Sequence, residues 1–193
     1  MLRTYRLWQS KWQAYKESLK EKNIWVYRAV DLTEMVGVAV VIALLVRALI
    51  IQHSVVPTGS MIPTLMIKDH LFVNKAIYYF KSPERGDIVV FRSPMKDGKD
   101  YVKRCVGLPG DVLEVRRGDI YINNQLLVFP GVQVRNDYSF YGPTTVPQGH
   151  FFMMGDNRGD SFDSRFWGFV PKKDILGKAW FNFWPLSRVH VLR

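Results

Sequence analysis

The sequence predicts a mainly β protein, an antiparallel β-sheet domain carried behind one N-terminal transmembrane helix. Three observations predict this class. Leu32 to Ile51 forms a predominantly apolar run of twenty residues, which at ~1.5 Å rise per residue spans roughly 30 Å, the thickness of a bilayer's hydrocarbon core. Beyond it the pattern changes to short runs rich in β-branched and aromatic residues, closed by Gly, Pro, Asn and Asp. No sustained helical periodicity, internal repeat or low-complexity tract follows the apolar run.

Residues 1–29 form a basic, aromatic tail in which Arg3, Arg6, Lys11, Lys16, Lys20, Lys22 and Arg28 face only Glu17 and Glu21. Trp8, Trp12, Trp25 and Tyr27 are residue types that settle at bilayer interfaces. Residues 30–51 are read as a retained anchor. Glu34 and Arg47 lie near its ends, where long side chains snorkel. A buried core helix is the competing reading, because the uninterrupted apolar stretch runs only from Met35 to Val46. The basic excess before the span places the tail in the cytoplasm and residues 52–193 on the outer, periplasmic face of the inner membrane. Within 52–193 the runs "HLFVNKAIYYF", "GDIVVFRSP", "DYVKRCVGLPGD", "VLEVRRGDIYINNQLL", "GHFFMMGDN" and "ILGKAWFNFWP" read as strands. "GDIYINNQLL" alternates around an Asn-Asn turn and predicts a hairpin.

Composition bounds the function. A net charge of +10 favours an anionic partner, either a membrane surface or nucleic acid. The single cysteine, Cys105, excludes an intrachain disulfide and a cysteine-based zinc cluster, and the four histidines lack the close spacing of a His-rich metal site. No metal and no cofactor are expected.

Three features carry chemistry. Ser60, in "VVPTGSMIPTL", follows a glycine in a turn and needs a base to act as a nucleophile. A buried lysine of lowered pKa supplies one, and Lys103 in "DYVKRCVGLPGD" is the best candidate. Strand alternation puts Tyr101, Lys103 and Cys105 on one face and Val102 and Arg104 on the other, so either Lys103 or Arg104 points inward. The third is "GDNRGDSFDSR", with Asp156, Arg158, Asp160, Asp163 and Arg165. It lacks the terminal bidentate Glu of a calcium loop, and its arginines oppose a cation. An ion-paired loop forming one wall of a site, with Ser161 able to orient an amine, is the better reading.

Together these features resemble the bacterial type I signal (leader) peptidases, the membrane-anchored Ser/Lys proteases of the general secretory route. "PTGSMIPTL", "RGDIVVF", "YVKRCVGLPGD" and "GDNRGDSFDSRFWGFVP" look like that family's boxes in order. The resemblance implies a signal-peptidase-like, partly barrel-like fold, Ser60 as acylating nucleophile and Lys103 as general base. It implies Thr58 as an oxyanion-hole hydroxyl, Ser161 as the hydroxyl orienting the lysine, and Asp163 and Arg165, with Asp156 and Arg158, as residues holding the site together. Pro57, Met61 and Val102 are expected to line shallow pockets. The implied substrates are secreted preproteins with small residues at −1 and −3, with the bilayer and the secretion translocon as further partners and no role for nucleic acid. Cys105 departs from the usual aliphatic residue of the lysine box. A self-cleaving Ser/Lys repressor, a conjugation-type maturation peptidase and a membrane-tethered basic β module that only binds are the alternatives.

Overall fold

The structure, a computed structural model, describes residues 2–132, 134 and 137–192; Met1 and Arg193, the outer limits of the expected tail and β domain, lie outside them. The chain divides into two compact units, Met1–Ala48 and Leu49–Arg193.

The first unit holds α1 (Leu2–Lys22) and α2 (Ile24–Leu49). Asn23 separates them and starts the second helix, its side-chain oxygen accepting from the N–H groups of Trp25 and Val26 at 3.0 and 3.3 Å. α1 doubles back along α2, so that Lys16 Nζ lies 2.8 Å from Glu34 and 3.2 Å from Asp31 while Trp12 Nε1 donates to Glu34. Glu34 is thus ion-paired within the unit and not left to snorkel alone. At 26 residues, α2 is long and apolar enough to cross a membrane. It ends at Leu49, short of the expected Ile51, because Ile51 is drawn into a strand pairing with Asn74 and the Ile50 carbonyl accepts from Lys75.

The second unit is built from β1 (Ile51–Val55), β2 (His70–Asn74), β3 (Ile88–Arg92), β4 (Asp100–Gly107), β5 (Val112–Arg116), β6 (Asp119–Ile122), β7 (Gln125–Leu127), β8 (Phe140–Thr145), β9 (His150–Met154), β10 (Val170–Pro171), β11 (Ile175–Trp184) and β12 (His190–Val191). Two short helices, α3 (Ile77–Phe80) and α4 (Ser164–Trp167), interrupt them. All pairings are antiparallel. The larger sheet runs β1-β2-β11-β3-β4-β9-β10 with β12 on β11, and a smaller sheet runs β7-β6-β5-β8. β11 slips register three times against its neighbours, and such bulges bend a strand, which curls the larger sheet.

The predicted Asn-Asn hairpin is β6–β7, with Asn123 and Asn124 both at positive φ (51° and 66°), the backbone a tight hairpin turn needs. "HLFVNKAIYYF" is not one strand: after Asn74 the chain turns, the Asn74 side chain accepts from Ile77 N–H, and a helical turn follows. β8 gave no sequence signal, since Pro143 and exposed faces break its alternation.

β4 is central, and its later residues are buried on both faces. Val102 packs with Met61, Leu65, Ile88 and Val90. Cys105 packs with Val89, Phe91, Phe151 and Met153, while Val106 enters a third cluster with Leu113, Val115 and Phe152 between the sheets.

Candidate active site

Leaving β1, the chain buries Val56, exposes Pro57 and Thr58, and coils into a 3₁₀ turn over Gly59–Met61. Met61, 1% exposed, plugs this turn into the core beneath Val102 and thereby fixes Ser60, itself buried, at the rim. The Ser60 carbonyl accepts from the Asn157 N–H at 3.1 Å, and Asn157 Nδ2 donates to the Gly59 carbonyl at 3.1 Å. Thr58 Oγ1 lies 3.3 Å from Ser60 Oγ.

Lys103 stands opposite Val89 in the β3–β4 ladder and is 5% exposed. The alternation puts Lys103 and Arg104 on opposite faces, so that one must point inward if the strand has a buried face; in the structure both faces are covered. Both residues are therefore buried: Arg104 meets a carboxylate, and Lys103 meets a hydroxyl. Lys103 Nζ lies 2.5 Å from Ser60 Oγ. Burial pushes the Lys103 amine down to about 8; nearby Asp163 and Asp156 oppose this, and Arg165 adds to it. A hydroxyl within hydrogen-bond reach of an amine that is partly neutral near pH 7 is an activated nucleophile.

The loop from Gly155 to Arg165 forms the third wall. Asp156, wholly buried, is clasped by Arg104 through Nε at 2.8 Å and Nη2 at 2.6 Å, and it accepts from Thr64 Oγ1 at 2.5 Å. Asp163 caps α4, accepts from Gly155 N–H at 3.1 Å, and takes both Nε and Nη2 of Arg165. Arg165 continues to Asp137, to Ser139 Oγ at 2.9 Å and to the Arg158 carbonyl at 2.8 Å. Arg158 donates to the carbonyls of Gly155 and Gly118, fastening the loop to the smaller sheet. Gly155 admits no side chain: a Cβ there would stand 2.2 Å from Ser161 Oγ and 2.4 Å from the Ser60 carbonyl. Ser161 is therefore packed beside the Ser60 turn, but its buried hydroxyl has no hydrogen-bond partner and does not bond Lys103 here.

A cavity of about 640 Å³ opens over these atoms. One wall is Val56 to Met61, the other is Lys99 to Lys103, and Asp160 and Phe162 close the third side. Pro57, Met61 and Val102 all line it. β4 pairs with β3 along residues 100–104, whereas β9 pairs only with Arg104, Cys105 and Gly107, so the cavity-side edge of Asp100–Lys103 takes no strand partner within the sheet. Such an edge accepts an extended peptide. Among the described residues no three His, Cys, Asp or Glu side chains are grouped to hold a metal.

Sequence reasoning did not single out Asn157, Thr64, Asp137 or Phe162. Asn157, Thr64 and Phe162 sit inside the motifs around Ser60 and Asp156, where type and position could have flagged them; Asp137 lies in a segment with no pattern at all.

Residues 29–184 match the family described as signal peptidase, peptidase S26. The chain is 39% identical over 182 residues to the probable signal peptidase I-2 of Synechocystis sp., covering 92% of this chain and 81% of that protein. It is 40% identical over 164 residues to the signal peptidase I of Leptolyngbya laminosa, covering 81% and 80%. It is 36% identical over 184 residues to the signal peptidase I P of Bacillus subtilis subsp. natto, covering 90% and 96%.

Proposed function

The chain belongs to the signal peptidase family, peptidase S26, and from that premise we propose that it is a membrane-anchored serine endopeptidase removing signal peptides from secreted preproteins by Ser/Lys acyl transfer. Ser60 is the nucleophile and neutral Lys103 the base. The observation that carries this reading is the 2.5 Å approach of Lys103 Nζ to Ser60 Oγ, with the amine buried and held at about 8.

In the first step Lys103 takes the Ser60 proton, Oγ attacks the scissile carbonyl, and the protonated lysine returns its proton to the leaving amine. Water, deprotonated by Lys103, then cleaves the ester. The Ser60 N–H and the Thr58 hydroxyl, 3.3 Å from Oγ, are the donors for the oxyanion. Asp163, Arg165, Asp156 and Arg158 touch no reacting atom; they position the loop that braces the Ser60 turn. The signal peptide lies as an extended strand along the open edge of Asp100–Lys103, with the small side chains at −1 and −3 on Pro57, Met61 and Val102.

The apolar helix from residue 30 to its end at Leu49 anchors the enzyme in the cytoplasmic membrane, 1–29 lie in the cytoplasm, and the chain from β1 onward forms the peptidase domain on the outer face, beside the translocon from which substrates emerge. The seven basic residues ahead of the span support that orientation.

Cleavage of a purified preprotein by the full-length protein in detergent tests the reading. Ser60→Ala and Lys103→Met should each lose processing while remaining folded. Lys103→Arg should lose it as well, because arginine offers no neutral base. Processing that survives any of the three at the wild-type rate rules the dyad out.

A further inference from the structure

Both rails of the cavity end at the reacting pair. Val56 to Ser60 runs toward the nucleophile and Lys99 to Lys103 runs toward the base, so Pro57 and Asp100 lie at the far end and Ser60 and Lys103 at the near one. At ~3.3 Å per residue, rails of this length hold about four residues of an extended peptide on one side of the scissile bond. The third wall is fastened at the near end. Asn157 bonds the Gly59 and Ser60 carbonyls, and Asp160 and Phe162 follow it in the same loop. If the signal peptide occupies the rails, the chain beyond the scissile bond leaves across Asp160 and Phe162.

Neither residue serves the fold. Phe162 is 49% exposed, and its ring stacks on the still more exposed Phe166 at 5.3 Å between centroids. The residues flanking Phe162 do the structural bonding, since Asp163 is the buried cap and Arg165 the hub. The exposed Asp160 carboxylate has no ion-pair partner among the described residues; its backbone N–H bonds the Asn157 carbonyl. An aromatic platform and an unpaired carboxylate at the exit of a cleft form a recognition surface for an apolar or cationic side chain, and they repel an anionic one.

We propose that Phe162, on its platform with Phe166, and Asp160 determine specificity for the first residue after the cut. They favour preproteins whose mature chain begins with an aromatic, aliphatic or basic residue and disfavour an acidic one. The inference rests on the peptidase reading above, because it takes the signal peptide to lie on the rails.

The experiment uses the full-length enzyme in detergent and a set of peptides sharing one signal-peptide sequence up to −1, with Ala, Phe, Lys or Glu at +1. Ratios of kcat/KM within one preparation are independent of its folded fraction, so partial misfolding of a variant does not obscure the answer. In the wild type, Phe should exceed Ala by roughly three- to tenfold, the range of an aromatic pair, and Lys should exceed Glu. Phe162→Ala should bring the Phe/Ala ratio close to one, and Asp160→Asn should do the same for Lys/Glu. Neither variant should change the preference for Ala over Leu at −1. Ratios that stay at wild-type values in both variants overturn this inference alone, as does a variant that shifts the −1 preference in place of the +1 preference. A wild-type chain that cleaves none of the peptides overturns the peptidase reading itself.

Discussion

Replacing Lys103 with Met is expected to abolish cleavage and, at neutral pH, to stabilise the protein. Lys103 is 5% exposed, and burial lowers its amine from an ordinary 10.5 to about 8. At ~1.36 kcal/mol per pH decade, that separation amounts to roughly 3 kcal/mol of folding free energy forfeited by the wild type at pH 7. The sign follows from proton counting. Above 10.5 neither the folded nor the unfolded chain holds the proton. Between 10.5 and 8 only the unfolded chain holds it, so stability falls as pH falls, and below 8 the deficit is complete. Methionine is similar in length and carries no charge, so it removes the cost of burying the amine. Ser60 Oγ forfeits one partner, worth about 1 kcal/mol, but keeps Thr58 within 3.3 Å. The net gain of about 2 kcal/mol corresponds to a rise in Tm of roughly 4–8 °C for a chain of this size. Thermal unfolding of the full-length protein in detergent, followed by near-UV circular dichroism at pH 7 and pH 10.5, measures it. An unchanged or lowered Tm at pH 7, or a gain that persists at pH 10.5, refutes the idea that desolvation of the amine is what tunes the base.

Below about pH 8, kcat/KM should climb close to tenfold per pH unit and level off above it, since activity follows the neutral fraction of Lys103; a plateau already reached at pH 6, read with a fluorogenic peptide, contradicts this. Gly155→Ala should lower kcat/KM by more than about a hundredfold, because the new Cβ meets the Ser60 carbonyl at 2.4 Å and displaces the nucleophile's turn. Adding Ser161→Ala removes only the contact with Oγ and leaves the Ser161 Cβ at 2.6 Å and the Ser60 carbonyl at 2.4 Å, so it should not restore the rate. Asn157→Ala removes one hydrogen bond to Gly59 but leaves the backbone bond to Ser60, so a loss of about 1 kcal/mol in stability is expected from urea titration, with folding intact.

Much of the candidate site's placement was legible because its residues sit in short motifs whose residue types are unusual for their surroundings. Lys103 stands in a β-type run next to apolar residues, and five aspartates and arginines are packed into the eleven residues from Gly155 to Arg165. The strands were legible where one face is buried, as in β6, whose alternation the structure keeps. They were not legible where both faces or neither are: β4 is buried on each side, which defeated the choice between Lys103 and Arg104, and β8 shows no clean alternation. Asp137 was invisible for a different reason. Its role depends on Arg165 reaching it across 28 residues, and no local pattern encodes such a pairing.

The aspartates of the loop present a physical difficulty that their arginines resolve. A lysine can act as a base only while its amine is neutral, yet Asp163, Asp156 and Asp160 all favour its charged form. An unpaired buried carboxylate next to Lys103 would raise its pKa and remove the base. Asp156 is held by a bidentate Arg104 and Asp163 by a bidentate Arg165, so each negative charge close to the amine is matched within about 3 Å by a positive one. These pairs hold the loop whose Asn157 bonds the Ser60 turn, and Arg165 opposes the pull of the aspartates on the Lys103 amine. Asp160 alone lacks such a partner among the described residues, and it is the exposed one, where water screens it from the amine. In the proposed mechanism the ion pairs that brace the wall therefore also keep Lys103 available as a base. An Arg165→Met variant should accordingly raise the pH midpoint of whatever activity it retains, whereas loss of packing alone would lower kcat/KM without moving that midpoint.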